Sequence, residues 1–160
     1  MSLASILLVE PSEDDRPIYA EFLRANKFTV TEVDSTDDGF LAAPLADLII
    51  TSIRMPGSFD GIELVRRLRE DEGTKHKPVI VLTVCTLEPD QGRAFAVGCD
   101  VFLPKPCLPE TLLAEIQRLI NQAKEARRTR ARKSRRTDET PIQQANDRPK
   151  KRRPAKSIDQ

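Results

Sequence analysis

The chain has 160 residues, 39% of them apolar, which is room for one domain and little more. Its formal charge of +1 is a cancellation: through Ala123 there are 12 Lys or Arg against 20 Asp or Glu, a net of −8, and from Lys124 onward 14 against 5, a net of +9. No apolar run approaches the length that spans a bilayer, and Met1-Ser2-Leu3-Ala4-Ser5 carries no positive segment, so neither a membrane span nor export is expected and the cytoplasm is.

Ala4 to Val9 is a short apolar run ending at Glu10-Pro11, the pattern of a strand buried on both faces. Ser12, with Asp15 three residues on, makes a capping-box-like start for a helix to about Ala25, and Pro17 weakens its first turn. Phe28 to Val33 alternates as a second strand, and Ser35 to Ala43 is a short helix stopped by Pro44. Asp47 to Thr51 is strand three. A loop through Met55-Pro56-Gly57-Ser58-Phe59 leads to a helix from Asp60, with Ile62, Leu64, Val65 and Leu68 as its apolar stripe and Arg66, Arg67 and Arg69 toward water. His76, the lone histidine, sits in a loop before strand four and reads as a surface residue.

Pro78 to Thr83 is strand four; Pro89 opens helix four and Gly98 closes it. Asp100 to Leu103 is strand five. Leu108 to about Ala126 is the last helix, with Leu112, Leu113, Ile116, Leu119 and Ile120 on one face. Cys85, Cys99 and Cys107 are odd in number, widely spaced and without a Cys-x-x-Cys pair, so they are expected to be reduced and mostly buried. A redox sensor would need an electropositive setting that the neighbouring residues do not supply.

Five apolar strands alternating with five helices predict an α/β fold, a parallel sheet covered on both faces. In such folds the site lies at the carboxyl ends of the strands, where strand order reverses. That rule picks out Glu10-Pro11, Ser52, Thr83 and Lys105, each ending or directly following a strand.

From about Ser5 to Ala123, three quarters of the chain, these residues resemble the receiver domain of bacterial two-component response regulators. The resemblance rests on Asp47-Leu-Ile-Ile-Thr-Ser-Ile-Arg-Met-Pro-Gly57 followed by Asp60-Gly61. It also rests on Pro78-Val-Ile-Val-Leu-Thr83, Gly98-Cys-Asp-Val-Phe102 and Lys105-Pro106. It implies a CheY-like, flavodoxin-like doubly wound fold, three layers α/β/α, with strand order 2-1-3-4-5, a receiver domain over residues 4–123 and a tail over 124–160. It also implies roles at the strand ends. Thr83 and Lys105 match the family's pattern, and Phe102 matches the aromatic that couples site to signalling face. Glu10 matches one of the acidic pair that holds Mg²⁺, but Pro11 stands where the second belongs. Ser52 stands where the family has its phosphoryl-acceptor aspartate. The loop after Met55-Pro56 is one residue longer than usual.

The departures bear on chemistry. Phosphoryl transfer is mainly positioning and charge neutralisation around a metal, and Mg²⁺ prefers a nearly octahedral shell of carboxylate oxygens. Glu10 alone remains, so at most weak Mg²⁺ binding is expected and no other cofactor. A serine hydroxyl needs an adjacent base, and no His is close in sequence. Lys105 is expected near Glu10 as a lone ion pair, and Thr83 as a strand end that satisfies backbone groups. The expected function is thus a pseudo-receiver, not an enzyme, acting on signalling proteins through the helix-four, strand-five, helix-five face. A working receiver phosphorylated at an unusual residue, including Ser52 as a kinase-made phosphoserine, is the alternative.

The tail opens a third reading. Lys124 to Arg136 holds eight basic residues and one acidic, and its Ala and Arg content gives helix five the propensity to run to about Lys133. Beyond Ser134 the composition favours disorder, with a second basic cluster from Arg148 to Lys156. Arg127, Arg128, Arg130, Arg132, Lys133, Arg135 and Arg136, with Lys150, Lys151, Arg152 and Arg153, are candidates for binding nucleic acid or another anion. The domain would then tether the tail, as a homodimer in one version. An anionic membrane surface or the acidic domain itself would also attract such a tail, and without Phe, Tyr or Trp it cannot stack on bases.

Overall fold

A computed structural model describes residues 4–138. The elements run β1 (Ser5–Val9), α1 (Asp15–Ala25), β2 (Thr29–Val33), α2 (Thr36–Ala42), a 3-10 turn (Ala43–Leu45), β3 (Leu48–Thr51), α3 (Gly61–Glu70), β4 (Val79–Thr83), α4 (Glu88–Ala96), β5 (Val101–Pro104) and α5 (Pro109–Asp138). The strands form one parallel sheet in the order β2-β1-β3-β4-β5, the expected doubly wound topology.

The continuous apolar runs place alternate side chains in two cores. Ile6, Leu8, Leu48, Ile50, Ile80 and Leu82 pack with Tyr19, Ala20 and Leu23 of α1 and Leu112, Ile116 and Leu119 of α5. Leu7, Val9, Ile49, Val79 and Val81 face the other way, onto Ile62, Val65 and Leu68 of α3 and Ala94 of α4. Thus α1 and α5 cover one face and α2, α3 and α4 the other, which completes the three layers.

Local chemistry sets the boundaries. Asp60 caps α3, its carboxylate accepting from Glu63 N at 2.8 Å, and Ser35 caps α2 by accepting from Asp38 N at 3.2 Å. The regular part of α1 starts at Asp15, not Ser12. Ser12 Oγ accepts from Asp15 N at 3.1 Å, but the return bond of a capping box is not made, because the Asp15 carboxylate is engaged elsewhere.

Arg69 differs from expectation. It does not simply face water but donates to the carbonyls of Gly98, Lys75 and Lys77 and pairs with Asp100 at 2.9 Å, tying α3 to the segments that lead into β4 and β5. Among the cysteines only Cys99 is buried; Cys85 and Cys107 are half-buried, and all three are free thiols.

The chain divides into two compact units, residues 1–126 and 127–160. In the second, residues 127–138 are helical as the end of α5, which runs past the expected end at about Lys133 to Asp138; the rest of the segment expected to be disordered lies outside the described residues. Arg and Ala are strong helix formers, and no Gly or Pro interrupts them before Pro141. Lys150, Lys151, Arg152 and Arg153 lie outside the described residues.

Candidate functional site at the strand ends

The four strand-end positions lie at the carboxyl edge of the sheet, at the ends of β1, β3, β4 and β5. Ser52 N donates to Val9 O at 3.2 Å, which sets the serine beside the end of β1. Glu10 follows on β1, its N bonded to Val33 O of β2. Glu10, Ser52 and Thr83 are all buried, at 2%, 5% and 0% exposure, so the site is sunk into the sheet edge. Lys105 reaches it from the end of β5, where Lys105 N donates to Thr83 O at 2.8 Å and the Lys105–Pro106 peptide is cis.

The ammonium of Lys105 is held by two carboxylates, not one. Nζ lies 2.9 Å from Glu10 Oε1 and 2.8 Å from Asp15 Oδ2. The expected lone pair with Glu10 is therefore a three-residue cluster joining β5, β1 and α1. Glu10 Oε1 also accepts from Ser12 N at 3.2 Å. Burial alone would lower the Lys105 pKa, but hydrogen bonds to Asp15 and Glu10 and their two charges outweigh it, and the ammonium is held above its usual 10.5.

Asp15 is the site residue that the sequence pattern did not single out. It reads as a helix-start residue, and its backbone does serve that end. The usable signal is its place: an acidic side chain in the first turn of a helix that begins five residues after a strand-end glutamate.

Thr83 uses its hydroxyl locally, Oγ1 accepting from Cys85 N at 3.1 Å. The loop after Ser52 is pinned by the start of α2: Thr36 N donates to Pro56 O, Thr36 Oγ1 to Phe59 O at 2.6 Å, and Ser58 N to Asp37 at 2.9 Å. At its end Gly61 lies so close to Ser52 that a Cβ there would sit 1.7 Å from the serine carbonyl oxygen. Only glycine lets α3 start at that point. Pro11 is half-buried beside Glu10. Phe102 is half-buried, its ring centroid 6.5 Å from that of Phe95 on α4.

A cavity of about 400 Å³ opens beside the cluster, lined by Asp15, Ile18, Tyr19, Val84, Lys105 and Cys107 among others. Tyr19 closes one wall with its hydroxyl donating to Cys107 O at 2.9 Å; burial, then the Cys107 thiol, raises its pKa. Among the described residues no three His, Cys, Asp or Glu side chains converge as a metal site would require, and no helix is long and apolar enough to cross a membrane.

Residues 6–117 match the family model of the response regulator receiver domain. The chain belongs to that family, whose members are signalling modules of two-component systems. It is 30% identical over 119 residues to the phosphate regulon transcriptional regulatory protein PhoB of Escherichia coli, covering 73% of this chain and 52% of that one. It is 27% identical over 124 residues to the polar-differentiation response regulator DivK of Brucella ovis, covering 74% and 98%. The chain thus spans about half the length of the PhoB protein and nearly all of DivK. Among solved structures, chemotaxis protein CheY4 of Vibrio cholerae matches at 30% identity with a TM-score of 0.68, over 74% of this chain and 99% of that one. The receiver domain of sensor histidine kinase PA1611 from Pseudomonas aeruginosa matches at 28% identity and a TM-score of 0.68, over 74% and 98%; it has a magnesium ion coordinated in its active-site cleft.

Proposed function

We propose that this chain is a receiver whose phosphoryl-aspartate switch has been removed and which acts in a two-component pathway by binding signalling proteins. One observation carries the reading: Lys105 is already neutralised by Glu10 and Asp15, with Ser52 and Pro11 at the positions that would supply the acceptor and a further metal ligand. The donor set does not fit Mg²⁺. Glu10 and Asp15 both spend an oxygen on an ammonium, Ser52 offers a neutral hydroxyl, and Pro11 offers no side-chain ligand.

No base stands on Ser52 either. Among the described hydrogen bonds its hydroxyl has no histidine or carboxylate partner, and His76 is exposed on the loop before β4. Partners are expected on the α4, β5 face and the part of α5 within the first unit, where Phe95 is 46% exposed against half-buried Phe102. A cytoplasmic setting follows from this role.

Intact-mass measurement after incubation with a small-molecule phosphodonor and Mg²⁺ tests the reading. No adduct is expected on the wild type and little on Ser52→Asp, whereas Pro11→Asp with Ser52→Asp should gain an acid- and base-labile phosphoryl group. A stable, acid-resistant adduct on the wild type would sink the proposal, and full labelling of Ser52→Asp alone would show that Pro11 matters less than argued.

A further inference from the structure

A second interaction surface lies outside the receiver site, on residues 127–138. These residues are helical, and every side chain from Arg127 to Thr137 is exposed. At 3.6 residues per turn the seven cations spread all round the helix, and two trios of them cover opposite sides. Arg127, Arg130 and Lys133 follow one another at i,i+3 along one side. Arg128, Arg132 and Arg136 follow at i,i+4 along the opposite side, with Arg135 beside them. Ala131 lies on one seam between the two rows and Thr129 on the other. There is no apolar row and no aromatic residue in the segment.

Two opposed basic rows select among polyanions. A helix that inserts into a membrane surface carries an apolar face, which this segment lacks, and a planar anionic surface that merely attracts it would reach cations on one side only. A flat acidic protein surface meets one side of a helix and leaves the other row in water. The major groove of duplex nucleic acid, about 12 Å wide, admits a helix about 10–12 Å across and presents a phosphate strand on each flank. Small residues on the seams let the helix approach the groove floor without offering side chains that read base edges.

We infer that residues 127–138 form a duplex-nucleic-acid-binding helix that contacts both phosphate strands and is indifferent to sequence. Like charges at i,i+3 and i,i+4 oppose the helix when it is free, so neutralisation by phosphates also strengthens it. This surface is independent of whether Ser52 can be phosphorylated.

The test uses the full chain, a fluorescent 20-base-pair DNA duplex and anisotropy titrations between 50 and 200 mM salt. Two triple variants, R127Q/R130Q/K133Q and R128Q/R132Q/R136Q, remove one row each while glutamine keeps helix propensity; wild-type thermal unfolding of the domain confirms that each is folded. Each should weaken binding and reduce the slope of log K against log salt by about 2.7, at 0.9 per lost phosphate contact. Loss in one variant only would mean a one-sided surface and overturn the inference. So would unchanged affinity and slope in both, which would place binding in the second basic cluster, or failure of the wild type to bind at 50 mM salt. Capture by phosphatidylserine vesicles or polyglutamate as tight as by the duplex would overturn it in favour of a generic anion.

Discussion

Charge does opposite work in the two units of this chain. In the receiver domain it is enclosed and assigned: Lys105 lies between Glu10 and Asp15, and Arg69 reaches three carbonyls and Asp100. On residues 127–138 the cations from Arg127 to Arg136 all lie exposed at the surface. The contrast teaches that net charge, −8 against +9 for the two halves split at Ala123, says little until burial is known. A buried ion is part of the structure, because removing its partner leaves it stranded in a poor solvent. An exposed ion adds little to the fold, because water screens whatever contacts it makes.

The largest break in this comparison should come from Lys105→Met. It leaves Glu10, 2% exposed, without its counter-charge, and should lower unfolding free energy by about 3–5 kcal/mol in urea titrations. A loss below about 1 kcal/mol would mean that water reaches the cluster. Next is Gly61→Ala, which separates packing from charge. The new Cβ collides with the Ser52 carbonyl, and the backbone shift should cost about 2–3 kcal/mol.

Alkaline titration gives a third, smaller effect. Burial first, then the Asp100 charge, pushes the Cys99 thiol from 9.0 up to about 11. The folded state holds this proton more tightly than the unfolded chain, so its stabilisation is complete below pH 9 and is lost as pH rises toward about 11. At 1.36 kcal/mol per unit that amounts to roughly 1–3 kcal/mol. Lys105 and Tyr19, both raised, add to the fall at higher pH. Cys99→Ala should flatten the portion between pH 9 and 11, and alkylation of Cys99 in the native protein at pH 7.5 should be slow.

The smallest effect is expected at Glu63→Gln. Hydrogen bonds from Arg66 and Arg67 hold this carboxyl at about 2, yet the group lies at the surface, its side chain 31% exposed, and the change should shift the thermal midpoint barely beyond error and less still in high salt. A large loss there would erase the distinction between enclosed and exposed charge.

The sheet and its candidate site were legible because the inner strands β1, β3 and β4 are short apolar runs that end at polar residues, while β2 alternates, and strand ends are where parallel sheets place chemistry. Glu10, Ser52, Thr83 and Lys105 were found that way. Asp15 was not, because its contact depends on the angle at which α1 leaves the strand. Arg69 was misread for a related reason: helical spacing puts it on a polar face, but its length carries the guanidinium back under the loop before β4. The reach of α5 to Asp138 was underestimated because helix propensity there acts without an apolar stripe to advertise it.

Gly61 has a further consequence, for sorting chains of this kind by their sequences. The absent side chain keeps α3 seated on the end of β3 whatever residue occupies position 52. A chain with a larger residue here would have to move α3 off the end of β3, whether or not it carries the aspartate. One that keeps the glycine keeps that seat, and is the better starting point for building a carboxylate in at position 52.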